Sequence, residues 1–169
     1  AIGYGALADH TWSRYNTVVG ALAYADGTGG DYNVAVGYQA LKNVSDQANV
    51  AVGADAGRDI TNKSWNVFVG YRSAWQATGA EANTGIGART FGYLSTGDYN
   101  IALGWDAGYL VSTGDGNVCL GNESGGSNGD YNIALGHRTT QSSTTVSNEL
   151  SIGGKPNQAW KTNHVTIQG

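Results

Sequence analysis

Residues 30–41 read GDYNVAVGYQAL, and closely similar strings return as GDYNIALGWDAG at residues 97–108 and GDYNIALGHRTT at residues 129–140. The glycine that closes the aliphatic part of each string recurs every 15 to 17 residues along the chain. Self-similarity at a short fixed period is typical of solenoids, in which each repeat packs only against its neighbours. The glycines in this register are Gly3, Gly20, Gly37, Gly53, Gly70, Gly87, Gly104, Gly121, Gly136 and Gly153.

Two more positions of the repeat hold nearly constant residue types. A branched aliphatic residue precedes each of these glycines, and an asparagine stands four residues before each glycine from Gly20 to Gly136. At the last repeat Glu149 takes the place of the asparagine. Glycine suits a bend with positive φ or a close backbone approach, and asparagine can bond to nearby backbone or to its counterpart in the next coil. The turn residues that we predict on this basis include Asn33, Gly37, Asn66, Gly70, Asn100 and Gly104.

Each repeat predicts one short strand, such as residues 33–37, in which alternation places Val34 and Val36 on one face and Ala35 on the other. One strand and one turning segment per repeat make a coil, with coils about 4.8 Å apart. We therefore predict an all-β chain whose residues 1–153 form a β-solenoid of about nine coils of 15–17 residues each. Because residues 1–3 match the end of a repeat, we expect this domain to be truncated on its N-terminal side.

The repeat stops after Gly153. Residues 154–169 contain the only proline, Pro156, and end in an alternating stretch at residues 164–168. A solenoid needs its last edge protected from pairing with other chains. We therefore predict that residues 154–169 form a C-terminal cap or foot.

Composition excludes several classes of function. The formal charge of −4 argues against nucleic acid, because binding to phosphates needs a basic excess. No apolar run is long enough to cross a bilayer, so membrane insertion is not expected. Cys119 is the only cysteine, and we interpret it as a small packing residue. The histidines, His10, His137 and His164, do not have the spacing of zinc ligands. We predict neither a metal site nor a cofactor.

The amount of apolar surface per coil favours assembly. A coil contributes only three or four apolar side chains, for example Val34, Val36, Ala40 and Leu41, which is thin for a free-standing rod. Closed cyclic symmetry would let each chain bury one face of its solenoid against its neighbours. We therefore expect a homo-oligomer, with a threefold axis well suited to rods of this kind.

The strings NVAVGYQAL, NVAVGADAG, NIALGWDAG and AIGYGAL, at residues 33–41, 49–57, 100–108 and 1–7, resemble the head repeats of trimeric autotransporter adhesins. They are still more similar to the same repeats in bacteriophage tail fibres, over residues 1 to about 153. The resemblance implies a left-handed parallel β-roll, a homotrimer, and a structural and receptor-binding role in the virion tail. Such a segment would adhere to a bacterial surface glycan or another cell-surface receptor by multivalent contacts. The alternative is an autotransporter head on the bacterial outer surface that binds host matrix.

Aromatic residues recur in every second coil. The residue after the closing glycine alternates between large and small, as in Tyr38, Ala54, Tyr71, Ala88 and Trp105. Rings two coils apart, at about 10 Å, could stack on the sugars of a polysaccharide. Packing of the rings inside the roll or between chains, each against a small residue one coil away, is the interpretation that we favour. The candidate stacking residues are Tyr38, Tyr71, Trp75, Tyr93, Trp105 and Tyr109.

One pair of carboxylates has the spacing of a catalytic pair. Asp106 and Glu123 hold equivalent positions in adjacent coils, about 5 Å apart, as in a retaining glycosidase. Any solenoid places like positions at this distance, and Arg89 and Arg138 flank the pair as counter-ions would. The sequence therefore favours an ion-pair ladder and predicts no catalytic residues and no enzyme, with a capsule polysaccharide depolymerase as a lesser alternative.

Overall fold

The chain folds into a single coiled sheet. The computed structural model describes residues 1–8, 12–140, 143 and 145–154, together with the backbone of residues 165–168. These residues form an all-β structure in which nine parallel strands build a β-solenoid of about eight turns. The strands are β1 (Thr17–Val19), β2 (Val34–Val36), β3 (Val50–Val52), β4 (Val67–Val69), β5 (Thr84–Ile86), β6 (Ile101–Leu103), β7 (Val118–Leu120), β8 (Ile133–Leu135), β9 (Glu149–Ile152) and β10 (Val165–Gln168).

The strands pair in chain order and in repeat register. Val34 of β2 pairs with Val50 of β3, and Ala35 pairs with Ala51. The same correspondence holds from β1 to β9. Equivalent residues of successive repeats therefore lie directly above one another, as the period predicts. The solenoid has about eight turns rather than nine, and Ile2 adds only an isolated bridge to Val19.

The predicted asparagine ladder is present in the core. The backbone N–H of Asn100 donates to Asn83 Oδ1 at 2.8 Å, and its side-chain Nδ2 donates to the same oxygen at 3.1 Å and to Gly114 O at 2.8 Å. Asn66 bonds in the same way to Asn49 Oδ1, whereas Asn33 donates to Asn16 Oδ1 through its backbone N–H and uses its Nδ2 for the Tyr24 hydroxyl and Asp46 O. Because the asparagine N–H bonds to a side chain, β1 to β8 each contain three residues rather than the five expected.

The closing glycines lie where the backbones of adjacent coils approach most closely. Gly104 has a φ of 135°, and a Cβ built on it would lie 2.6 Å from the carbonyl oxygen of Gly121. The same approach occurs at Gly37 and Gly70. Since no side chain fits at such a distance, these positions require glycine for both space and backbone conformation.

The inside of the roll is lined by the middle residue of each strand. Ala35 is fully buried, whereas Val34 and Val36 are half-buried and point outward. Counting Val34 and Val36 as core residues was therefore wrong. Ala40, Leu41 and the residue three further on, Val44, fill the core instead. Alternation identifies two faces of a strand but not which one is enclosed, since the inward residue is small at Ala35 and large at Phe68 of β4.

Large residues enter this narrow interior only beside glycine. Phe68 and Phe91 are fully buried, and added Cβ atoms at Gly57 and Gly108 would lie 3.2 Å from Phe68 and 2.8 Å from Phe91. Cys119 is buried over Gly125 in the same manner, which agrees with its interpretation as a packing residue. Volume is thus conserved between neighbouring coils.

The outward side of the sheet is mostly apolar along its whole length, with Thr17 and Thr84 as its polar strand residues. We define the outer face by its residues, which are the first and third residues of β1 to β8, Leu150 and Ile152 of β9, and the aromatic residues that precede five of the eight ladder asparagines, Tyr15, Tyr32, Trp65, Tyr99 and Tyr131. None of these positions carries a charge. Ile101 and Leu103 are 43% and 50% exposed. Such a face is ordinary inside a protein and unusual at the surface of a monomer.

The last parallel strand has a neighbour at its open side. The backbone of β10 pairs antiparallel with β9, with residues 165–168 facing residues 149–152. Residues 155–164 and 169, which include Pro156 and His164, lie outside the described residues. Of the cap predicted over residues 154–169, the structure therefore describes only residue 154 and the backbone of β10. The described part of the chain contains no helix with the length and apolarity needed to cross a bilayer.

Candidate functional site

A ladder of charged residues follows the closing glycines. These residues stand two positions after the glycine and have left-handed backbone conformation, with φ of 53° at Asp106 and 59° at Arg89. This conformation directs the side chains of adjacent coils along the outside of the turn. The ion pairs are Asp55 with Arg72 at 3.4 Å, Arg89 with Asp106 at 3.0 Å, and Glu123 with Arg138 at 2.7 Å. The predicted ion-pair ladder is therefore present.

The candidate aromatic residues lie outside the roll. Tyr38, Tyr71, Tyr93 and Trp105 are 44–51% exposed, and Trp75 and Tyr109 are half-buried. Packing inside the roll, one form of the interpretation that the sequence favoured, is thus excluded for these rings. Packing against small residues of the neighbouring coil does occur, since an added Cβ at Gly92 would lie 2.1 Å from the Tyr109 ring.

One group of candidate rings surrounds a pair of arginines. The Arg72 guanidinium lies 5.1 Å from the centroid of Tyr71 and 5.2 Å from that of Trp75. Arg58 lies 5.0 Å from the same Trp75 ring. Cation–π contacts of this kind hold the rings in fixed orientations at the surface.

A second group repeats this arrangement two coils later. Arg89 lies 4.9 Å from the Tyr109 ring and 5.5 Å from the Trp105 ring. Tyr93 packs edge-on against Tyr109 with 5.0 Å between ring centroids, and a hydrogen bond with Tyr109 raises the pKa of Tyr93. Among the described residues, Tyr38 takes part in no comparable ring or arginine contact. The structure therefore brings five of the six candidates into two clusters.

The second cluster borders a surface pocket of about 380 Å³. Trp105, Tyr109 and Leu110 form its apolar side, and Asp106 and Glu123 supply its charged groups, with Thr140 completing the lining. This volume falls within the range of small-ligand sites, about 300–1,000 Å³. An aromatic surface beside a few polar groups is the arrangement that recognises a sugar ring.

The two pocket carboxyls differ in their environments. Burial raises the pKa of Asp106, which Arg89 opposes and Glu123 reinforces. Hydrogen bonds from Arg138 to both carboxylate oxygens, at 2.7 and 3.2 Å, lower the pKa of Glu123. Asp106 Oδ1 is buried and accepts no hydrogen bond from the described residues, although the Arg89 Nε lies 3.0 Å away in the ion pair.

Several pocket residues were not singled out in the sequence. Leu110 and Thr140 lie in the variable half of their coils, where no repeat marks them. Arg58, Arg72 and Arg89 were visible as charges, but their contacts with rings were missed. The repeat register offered a signal for two of these contacts, since Arg58 and Trp75 hold equivalent positions in adjacent coils and the positions of Arg89 and Trp105 differ by one residue.

Other chemistry has little support in the described residues. Within them no group of three or more His, Cys, Asp or Glu side chains is placed to hold a metal ion. Burial raises the pKa of the Cys119 thiol to about 12, which makes it a poor nucleophile. In comparisons with known proteins, no family model, curated protein or solved structure matches this chain.

Proposed function

We propose that the chain is a structural and receptor-binding segment of a bacteriophage tail fibre. It forms a homotrimer of left-handed parallel β-rolls in the virion tail and adheres to a bacterial surface glycan through several weak sites. The observation that carries this proposal is the outer face, which is mostly apolar, uncharged and as long as the solenoid.

The dimensions of the outer face support assembly with copies of itself. Eight inter-coil steps of about 4.8 Å and a width of about 15 Å give roughly 600 Å². That area is at the upper end of what monomers expose, and it is close to what one partner contributes to a small stable interface. Since the face is straight and carries no charge, a second copy of the same chain complements it along the whole rod.

Light scattering tests the assembly. We expect a mass three times that of the 17.5 kDa chain. Leu103→Lys places a charge in the centre of the outer face, and we expect it to yield monomers with an unchanged circular dichroism spectrum. Gln76→Lys, at an exposed turn away from that face, is the matched control and should remain trimeric. A monomeric wild-type chain, or a Leu103→Lys variant that stays trimeric, would contradict the proposal.

Adhesion to cells tests the second half of the proposal. We expect the labelled trimer to bind a responsive bacterial strain from a panel and to lose binding when periodate destroys the surface glycans. The monomeric Leu103→Lys variant should bind at least about a hundredfold more weakly, because linked sites gain 10² to 10⁴ in avidity. Periodate-resistant binding that protease abolishes would instead indicate a protein receptor.

The pocket carboxyls are the specific reason to test the depolymerase alternative. Asp106, with a raised pKa, and Glu123, with a lowered one, would suit an acid and a base on a glycosidic bond. Each is nevertheless engaged by its own arginine. We expect no new reducing ends when the trimer is incubated with purified capsule, and their appearance would replace adhesion by hydrolysis as the function.

A further inference from the structure

The pocket beside Trp105 is lined by a buried carboxyl, which pairs with Arg89 at 3.0 Å and is otherwise only partly satisfied. Asp106 is more than nine-tenths buried, and its Oδ1 accepts no hydrogen bond from the described residues. Burying a carboxylate without full hydrogen bonding costs free energy. Some equivalent coils place an acid at this position, Asp55 or Glu123, and others place Gln39 or an arginine, so the repeat accepts an acid there without requiring one.

The rings beside this carboxyl are held in place before any ligand arrives. Arg89 contacts both Trp105 and Tyr109, and Tyr93 supports Tyr109 from the side. A surface fixed in this way loses little conformational entropy on binding. Rigid aromatic rings adjoining a hydrogen-bond acceptor suit a ligand with one apolar face and polar edges.

The charges of the pocket lining restrict which ligand fits. Its ionisable lining groups are Asp106 and Glu123, both acidic, while Arg89 and Arg138 are engaged in pairing with them. A hydroxyl can donate to a lone pair of the Asp106 carboxylate that Arg89 leaves free, whereas an anionic group would meet two acids and no unpaired cation in the lining.

We propose that this pocket binds a neutral pyranose residue of the receptor glycan, with the C–H face of the sugar on Trp105 and Tyr109 and a sugar hydroxyl donating to Asp106. Acidic sugars are excluded. This assignment rests on the proposed receptor-binding function and names the substrate class of its site.

Nuclear magnetic resonance titration of the isotope-labelled trimer tests the proposal. The probes are the methyl glycosides of glucose, galactose and mannose, each beside its 6-carboxylate counterpart. We expect at least one neutral glycoside to shift the Trp105 indole N–H signal, and its acidic counterpart to bind about fivefold more weakly or worse, because of repulsion by the two carboxylates. Equal affinities within each pair, or no shift with any neutral glycoside, would overturn the proposal.

Two matched substitutions separate the site from general effects. Asp106→Asn keeps the shape of the side chain, and we expect it to weaken binding about tenfold, since a hydrogen bond to a charged group is lost. Asp55→Asn is the control, because Asp55 is equally buried and also has an Oδ1 without a hydrogen bond, but Ala54 precedes it where Trp105 precedes Asp106. An equal loss in both variants would refute the site.

Failure of this assignment is distinguishable from failure of the proposed function. If the trimer adheres to cells while the Trp105 signal ignores every neutral glycoside, the pocket assignment is wrong and receptor binding stands. If the trimer binds no cell, the proposed function itself fails.

Discussion

Replacing Asn83 by alanine tests whether the asparagine ladder holds the coils together. Asn83 Oδ1 accepts from the backbone N–H of Asn100 at 2.8 Å, and its Nδ2 donates to Gly97 O at 2.9 Å. Both partners are buried, and neither has another bond among the described residues that would replace the lost one. The other partners of the Asn83 side chain keep a bond: Glu81 O accepts from the backbone N–H of Tyr99, Asn66 Oδ1 from the backbone N–H of residue 83, and Asn100 Nδ2 still donates to Gly114 O.

The expected cost follows from these two stranded groups. A buried donor or acceptor left without a partner costs about 1–3 kcal/mol, so Asn83→Ala should destabilise the chain by about 4 kcal/mol. For a chain of this size that corresponds to a fall in melting temperature of roughly 10 °C. The amide of Asn100 should also lose its protection from hydrogen exchange, because the opening is local to two adjacent coils.

Thermal denaturation and hydrogen exchange at fixed protein concentration measure this effect. The matched control is Asn43→Ala, since Asn43 lies on a half-buried turn where its side chain donates only to Asp59. We expect this control to cost less than about 1 kcal/mol. If Asn83→Ala costs no more than Asn43→Ala, or if the Asn100 amide stays protected, the ladder does not stabilise the solenoid as argued.

Gly104, Cys119 and Asp106 each offer a further test of the structure. Gly104→Ala should lower the free energy of unfolding by more than about 3 kcal/mol, because the added Cβ would meet the Gly121 carbonyl. Gly79→Ala, whose Cβ would have neighbours no closer than 3.6 Å, should cost under about 1 kcal/mol in the same thermal denaturation experiment. Cys119 should resist thiol reagents at pH 8 until the chain is denatured, since its pKa is about 12; rapid labelling of the folded protein would contradict its burial. Asp106→Asn should leave the melting temperature at pH 7 unchanged or raise it. Because burial raises the pKa of Asp106 in the folded state, the stability of the wild-type chain falls as pH rises through that pKa, and the advantage of the variant should vanish below the ordinary aspartate pKa of about 3.9. A loss of stability of the variant at pH 7 would refute this reasoning.

Much of the fold could be predicted from the spacing of three residues. Glycine at the close approach, asparagine in the ladder and an aliphatic residue between them repeat at a nearly constant interval. A repeat of this kind is satisfied when each coil stacks on the one before it, with parallel strands in register. Asn33, Gly37, Asn100 and Gly104 hold the roles that their types predicted. The ion-pair ladder followed from the same register, since position along the axis alone decides which charges meet.

Less of the candidate site could be predicted, because it depends on the direction in which each side chain leaves the coil as well as on its position along the solenoid axis. Trp105 and Tyr109 were both named as candidate stacking rings, but their meeting around Arg89 depends on the left-handed backbone at Asp106 and on the small Gly92 beneath Tyr109. Neither contact leaves a repeating mark in the sequence. Leu110 and Thr140, in the variable segments, join the pocket for the same reason.

The sequence by itself determined that equivalent residues stack along one axis, since the period recurs and each slot keeps its residue type. Only the tertiary structure decided which side of each strand faces inward. Alternation separates Ala35 from Val34 and Val36 without saying which is enclosed, and the larger hydrophobic residues would be the usual choice. The interior of a coil of about 17 residues has a limited volume, which Leu41 and Val44 already fill, so the small Ala35 fits beside them and Val34 and Val36 form the outer face.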